Sequence, residues 1–252
     1  MPKYIAVAGK GGTGKTTVAA NLVRYLAGRE DGRSVLAIDA DPNSNFGEAL
    51  GLAPRGTIAD VLEETKQTKE LPAGMTRQGW IQYRLSQLVE ESDRFDLLTM
   101  GTPEGPGCYC YPNDLLRGHL SALGANYGYV VIDNEAGLEH LSRRVEQEID
   151  VLLVVTDPTA RGVRSAGRVT EIIRNLKTKV SDSYLIVNRA TSGGDLAALD
   201  GEIERTGLKV AGTIPEDPAI REYDLRGTPL TELPVDGPAV RAMRELFARL
   251  PL

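Results

Sequence analysis

The 252-residue chain has only two cysteines, Cys108 and Cys110. So few thiols cannot make a disulfide framework, and the expected setting is reducing and cytoplasmic. No run approaches about 18 uncharged apolar residues, so no membrane-spanning helix is expected. The opening Met1-Pro2-Lys3-Tyr4 leads into a short apolar run and then glycines. It lacks the long apolar region and small-residue cleavage site of a secretory leader. An excess of positive charge is also missing: 29 Lys and Arg face 35 Asp and Glu, a net charge of -6. Such a surface is a poor non-specific partner for nucleic acid or anionic membranes. Internal repeats and low-complexity tracts are absent. What remains is ordinary for a globular protein, 41 % apolar and 25 % charged, which excludes wholesale disorder.

Short apolar runs alternate with longer helical patterns. Tyr4 to Ala8, Ser34 to Ile38, Phe95 to Thr99, Tyr129 to Ile132, Val151 to Val155, Ser183 to Val187 and Lys209 to Gly212 read as strands. Several are apolar at consecutive positions, as in strands covered on both faces. Thr16 to Ala27, Leu115 to Leu123, Glu139 to Gln147, Val163 to Leu176 and Pro238 to Leu250 read as helices. This alternation predicts a single doubly wound α/β domain with a mostly parallel sheet and helices on both faces. The least regular stretch runs from Pro54 to Gly107, with helices expected at Ile58 to Thr65 and around Ile81 to Glu91. It reads as an insertion that leads, through prolines and glycines, to the cysteines.

Gly9-Lys10-Gly11-Gly12-Thr13-Gly14-Lys15-Thr16 fits the pattern G-x-x-x-x-G-K-[ST]. Glycines let backbone N–H groups turn inward around phosphate oxygens. Lys15 supplies a mobile positive charge for the β- and γ-phosphates, and Thr16 offers a hydroxyl to Mg²⁺. Thr17 continues into a helix whose positive end faces the anion. The loop follows an expected strand, which is the context this motif requires.

Three further positions end expected strands. Asp39-Ala40-Asp41-Pro42 places two acids at the carboxyl edge of the sheet, where ligands bind in such folds. Alone, it would also serve as a turn closing the strand. Tyr129-Val130-Val131-Ile132-Asp133 is an apolar strand ending in an acid, the Walker B pattern, in which Asp133 holds Mg²⁺ through water. Gly137 follows at a position that fits switch II, a hinge whose backbone N–H would approach the γ-phosphate, or an ordinary turn. Asn188-Arg189 ends a third strand, and an amide there matches the N6/N7 edge of adenine. A turn asparagine is the plainer reading. The acid of a guanine-reading N-K-x-D pattern is missing, which favours ATP over GTP.

Cys108-Tyr109-Cys110 brings the two thiols within one residue of each other. Thiolates are soft ligands suited to zinc, copper(I), nickel or iron–sulfur clusters. A closed tetrahedral site needs four ligands, so one C-x-C supplies half. A homodimer could bring two pairs together. His119 and His140 read as packing or surface residues, although His140 lies close after Gly137.

The form K-G-G-T-G-K-T, with Lys10 after the first glycine, resembles the deviant Walker A loop of the MinD/ParA/nitrogenase-iron-protein class. That resemblance implies that Lys10 crosses a dimer interface to the partner's nucleotide. It also implies that Asp41 orients the attacking water, with Asp39 nearer the magnesium shell. Asn188 would read adenine, and Pro215-Glu216-Asp217-Pro218 would cover the ring. The combination of Ala8 to Thr17, Asp39 to Asn45, Cys108 to Cys110 and Ile132 to Arg144 is similar, more narrowly, to the CooC-type nickel-insertion ATPases. That family implies an ATP-dependent homodimer with one nickel ion, or zinc in its place, held between paired C-x-C motifs. Its client is a nickel–iron–sulfur enzyme, carbon monoxide dehydrogenase, or acetyl-CoA synthase in related members. The other readings are a MinD/ParA-type positioning ATPase without a metal role and an iron–sulfur electron donor. The donor family spaces its cysteines far apart. The positioning reading turns on the last helix, where Val240, Met243, Phe247 and Leu250 share a face that suits either packing or a membrane surface.

Overall fold

The computed structural model describes residues 1–41, 43–67, 72–101, 121–134, 148–175, 179–191 and 194–252. The expected helices at Leu115 to Leu123 and Glu139 to Gln147 fall wholly or largely outside these residues. So do Pro42, Cys108, Cys110, Gly137, His119 and His140.

Seven strands form one sheet: β1 (Lys3–Gly9), β2 (Val35–Ala40), β3 (Asp96–Thr99), β4 (Tyr129–Asn134), β5 (Ile149–Thr156), β6 (Val180–Ala190) and β7 (Lys209–Pro215). Their order is β3-β2-β4-β1-β5-β6-β7, and every pairing in it is parallel. The sheet is thus wholly parallel where a mostly parallel one was expected. Each expected strand is present. Most run longer at one or both ends, because ladder hydrogen bonds carry the extended backbone past the apolar run.

Parallel neighbours need crossover helices, and these bury both faces of the sheet. The sequence Ile5-Ala6-Val7-Ala8 shows how. Ile5 and Val7 point to one core, with Val18, Leu22 and Leu26 of α1 (Lys15–Ala27). Ala6 and Ala8 point to the other. Phe46 and Leu50 of α2 (Asn45–Leu50) join the α1 side. The opposite core receives Ile58, Val61 and Leu62 of α3 (Ile58–Gln67) and Ile81 and Leu85 of α4 (Arg77–Ser86). Val163 and Ala166 of α5 (Ala160–Asn175) and Leu199 and Ile203 of α6 (Gly194–Thr206) complete that side. The described part of the irregular stretch after β2 therefore packs into a core shared with the strands.

Helix α4 begins and ends earlier than its expected span around Ile81 to Glu91. The Thr76 side chain caps it by accepting from Gly79 N. Glu90 is withdrawn into an antiparallel bridge with Leu97. Two helices follow β7: α7 (Pro218–Arg226) and α8 (Pro238–Arg249). In α8, Val240, Met243, Leu246 and Phe247 are buried with α1 and β7, and the Phe247 ring lies 5.6 Å from that of Tyr25. Burying this face stabilises by about 1.5–3 kcal/mol per large side chain. No described helix is long and apolar enough to cross a membrane.

Candidate functional site

Strand β1 lies at the centre of the sheet, and the loop from Lys10 to Gly14 turns at its carboxyl edge into α1. Gly9 passes so close to β5 that a methyl group there would sit 2.2 Å from the Val155 carbonyl oxygen. Gly14 takes φ 88°, a left-handed conformation, and a methyl there would lie 2.3 Å from Asn188 Nδ2. Both positions therefore demand glycine. The Thr13 hydroxyl donates to the Lys10 carbonyl at 2.9 Å and tightens the loop. Gly14 caps α1 without a side chain, so the first N–H groups of the helix are left for an anion. Lys15 is buried at the start of this helix, while Lys10 is exposed.

The two acids expected at the magnesium site behave differently. Asp133 and Asp39 are register partners on β4 and β2; β4 adjoins β1, and β2 lies one strand further out. Thr16 Oγ1 donates to Asp133 Oδ2 at 2.7 Å, while Asp133 Oδ1 is buried with no hydrogen-bond partner among the described residues. Burial pushes the Asp133 carboxyl up to about 7, the Thr16 hydrogen bond opposes this, and the Asp39 charge adds to it. A buried carboxylate oxygen without a partner, beside a threonine hydroxyl and a lysine, fits the hard oxygen shell of Mg²⁺.

Asp39 has both oxygens engaged. Oδ1 accepts from Asp41 N at 3.1 Å and Oδ2 from Phe46 N at 3.0 Å. Burial raises this carboxyl to about 6, and those backbone hydrogen bonds hold it down. Ser44, the residue that caps α2, has φ 52° and gives no side-chain hydrogen bond, so Asp39 satisfies the helix start in its place. Asp39 thereby positions the loop that carries Asp41. Asp41 itself lines a cavity of about 520 Å³ with Gly11, Gly12, Gly14, Lys15 and Thr16.

A second cavity of about 290 Å³ shares Thr17, Arg189 and Asp224 with the first. It gathers the residues expected around the base: Asn188, Arg189, Pro215, Glu216 and Asp217. Asn188 is buried; its Nδ2 donates to the Thr13 carbonyl at 2.8 Å, and its Oδ1 accepts from Arg189 N. In this conformation its amide holds the phosphate loop. Asp217 is the N-cap of α7: its oxygens accept from Ala219 N at 3.0 Å and Ala239 N at 3.2 Å. Its carboxylate is thus occupied in structure, and the segment before it forms the cavity wall.

Arg189 sits at φ 58° where the β6–β7 register shifts, and its Nη1 donates to the Gly12 carbonyl at 3.1 Å. A non-glycine residue held there costs about 1–2 kcal/mol, sustained by the bulge and the loop contact. Glu48, Arg221 and Asp224 also line the cavities, and motif spacing gave no sign of them. No group of three or more His, Cys, Asp or Glu side chains able to hold a metal occurs among the described residues.

A family model described as the CobQ/CobB/MinD/ParA nucleotide binding domain matches residues 4–230. The chain is 39 % identical over 249 residues to an uncharacterized ATP-binding protein of Methanocaldococcus jannaschii, covering 98 % of this chain and 97 % of that one. It is 32 % identical over 236 residues to the carbon monoxide dehydrogenase accessory protein CooC of Rhodospirillum rubrum, covering 88 % and 87 %. Among solved structures, the septum site-determining protein MinD of Pyrococcus horikoshii, complexed with Mg-ADP, aligns with TM-score 0.71 at 24 % identity. That alignment covers 98 % of this chain and 94 % of the other.

Proposed function

The chain belongs to the CobQ/CobB/MinD/ParA nucleotide-binding family and is an ATPase, and we propose that it drives metal delivery as a nickel metallochaperone. In this reading a homodimer takes up one nickel ion between paired Cys108 and Cys110. It hands the ion to a nickel–iron–sulfur client, carbon monoxide dehydrogenase. What carries the reading is the C-x-C pair in a chain whose sequence is 32 % identical to a carbon monoxide dehydrogenase accessory protein. The cysteines lie outside the described residues, so their support comes from the sequence.

The chemistry follows from the residues around the first cavity. The bare N-terminus of α1 and Lys15 bind the β- and γ-phosphates. Thr16 and Asp133 would hold Mg²⁺, which would supply positive charge against the negative charge that builds on the phosphate oxygens. Asp41, on the loop that Asp39 anchors, orients a water against the γ-phosphorus. The new P–O bond forms as the bond to the β-bridging oxygen breaks, giving ADP and phosphate. Lys10 is exposed, as required of a lysine that reaches a partner subunit and stabilises charge on the transferred group. Asn188 and the wall from Pro215 to Asp217 receive the adenine ring. Loss of the γ-phosphate loosens the dimer, parts the thiolates and releases the ion, by linkage between nucleotide, dimer and metal.

The test is an anaerobic titration with nickel and with zinc, with and without ATP, on the wild type and on the Cys108→Ser/Cys110→Ser double variant. The double variant should lose nickel binding and keep its ATP affinity. Equal nickel affinity in both proteins would sink the assignment. A positioning ATPase that docks on membranes through its last helix finds no support, because the apolar face of α8 is buried against α1 and β7.

A further inference from the structure

A third cavity, of about 320 Å³, lies along the C-terminal half of α1, toward the opposite end of that helix from the phosphate loop. Four arginines line it: Arg24 and Arg29 from the α1 end, Arg94 from the turn before β3, and Arg244 from α8. No carboxylate among the described residues does. Two of the four have ordinary structural employment. Arg24 donates to the Leu233 carbonyl at 2.6 Å, and Arg29 pairs with Asp31 at 3.2 Å. Both also suit the negative end of α1. Arg94 and Arg244 have no ion pair or side-chain hydrogen bond among the described residues. Burial and the charges of Arg244 and Arg94 all lower the Arg24 guanidinium, so the cluster repels itself. In a chain of net charge -6, a concave site holding mutually repelling cations is not explained by packing.

A second observation lies at the same cavity. Asn21 lines it, is 4 % exposed, and has an Oδ1 with no hydrogen-bond partner among the described residues. Its Nδ2 donates to the Thr17 carbonyl at 2.9 Å, which fixes the amide so that the acceptor is the atom left over. Tyr25 and Met243 supply an apolar wall. The site therefore offers planar, forked N–H donors for an oxyanion, one acceptor for a hydroxyl, and an apolar surface for a short carbon skeleton.

We propose that this cavity binds a small oxyanion of the phosphate class that also carries a hydroxyl, either hydrogen phosphate or a phosphate monoester. The arginines engage the phosphoryl oxygens, and Asn21 Oδ1 accepts from the hydroxyl. The site is separate from the nucleotide cavities, and this assignment does not depend on the metallochaperone reading.

The experiment is calorimetric titration of the full chain, saturated with Mg-ADP so that the phosphate loop is filled. Inorganic phosphate and glycerol 3-phosphate are the probes, at constant ionic strength. Citrate and a Glu-rich hexapeptide are the comparisons. The variant is Arg94→Gln/Arg244→Gln, which removes two exposed side chains outside the nucleotide site. The expected result is saturable binding of at least one phosphate probe, weakened tenfold or more in the variant. Mg-ADP affinity and melting temperature should stay unchanged. Tighter glycerol 3-phosphate identifies a monoester; tighter inorganic phosphate identifies the free ion. Lack of saturable binding of either probe, undiminished binding in the variant, or tighter binding of citrate or the peptide overturns the proposal.

Discussion

Replacing Asp133 by Asn should remove hydrolysis, and the stability of the nucleotide-free variant relative to wild type should rise with pH. The Asp133 carboxyl is raised from its ordinary 3.8 to about 7 in the folded chain, chiefly by burial. Between those values the folded state binds more protons than the unfolded one, so stability is lost as pH rises through this window. A shift of this size corresponds to about 4 kcal/mol when the group is fully ionised near pH 8, and to about 2 kcal/mol at pH 5. Asparagine does not titrate. Its Oδ1 can still accept from Thr16, and its Nδ2 would occupy the place where Asp133 Oδ1 has no partner. An unpaired buried N–H costs about 1–3 kcal/mol at every pH, so it leaves the pH dependence untouched. The margin of variant over wild type should therefore widen by about 2–3 kcal/mol from pH 5 to pH 8, or roughly 5–10 °C in melting temperature for a chain of this size. Asp39, raised to about 6, titrates in both proteins and largely cancels. Calorimetric melts without nucleotide or Mg²⁺ at both pH values give the answer. A margin that stays constant or narrows with rising pH would refute the buried, uncompensated carboxylate.

Gly14→Ala forces a side chain into φ 88° and against the Asn188 amide. It should destabilise by about 2 kcal/mol or more and weaken ATP binding at least tenfold. Urea melts and a fluorescent-ATP titration check both effects; wild-type affinity would contradict the glycine requirement. Lys10→Ala should leave ATP binding by the monomer intact but lower the hydrolysis rate a hundredfold or more, because in the proposed dimer the exposed lysine acts on the partner's nucleotide. Steady-state phosphate release at saturating ATP measures this, and an unchanged rate removes Lys10 from the reaction.

The strands were the most legible part of the fold. Seven apolar runs bounded by turn residues all became strands, since two-sided burial leaves a continuous apolar signature. The helix of the phosphate loop and α8 also matched their expected spans closely. Helix α6 carries no clear helical pattern in the sequence because Gly194 and Gly201 dilute it. Helix α7 follows an Asp-Pro start signal, Asp217-Pro218, which lies within the Pro215 to Pro218 segment expected over the base. The site divides similarly. Gly9 to Thr17 and Asp133 are legible because phosphate and Mg²⁺ chemistry fix their spacing. That Asp39 would stand in for a capping residue of α2, and that Arg189 would take φ 58° at a bulge, depends on contacts between distant segments. Local sequence carries no mark of such contacts. The third cavity is the extreme case, since its four arginines come from three separate stretches of chain.

In the proposed function, nucleotide and metal together build a site that one chain cannot complete. The most direct measurement is sedimentation of the anaerobic full chain with nickel and a slowly hydrolysed ATP analogue, with metal counted in each sedimenting species. The expected species is a dimer carrying one nickel ion per two chains, which falls to metal-free monomers when ADP replaces the analogue. Nickel bound one-to-one by a monomer, or a nucleotide-dependent dimer that excludes nickel, would contradict it.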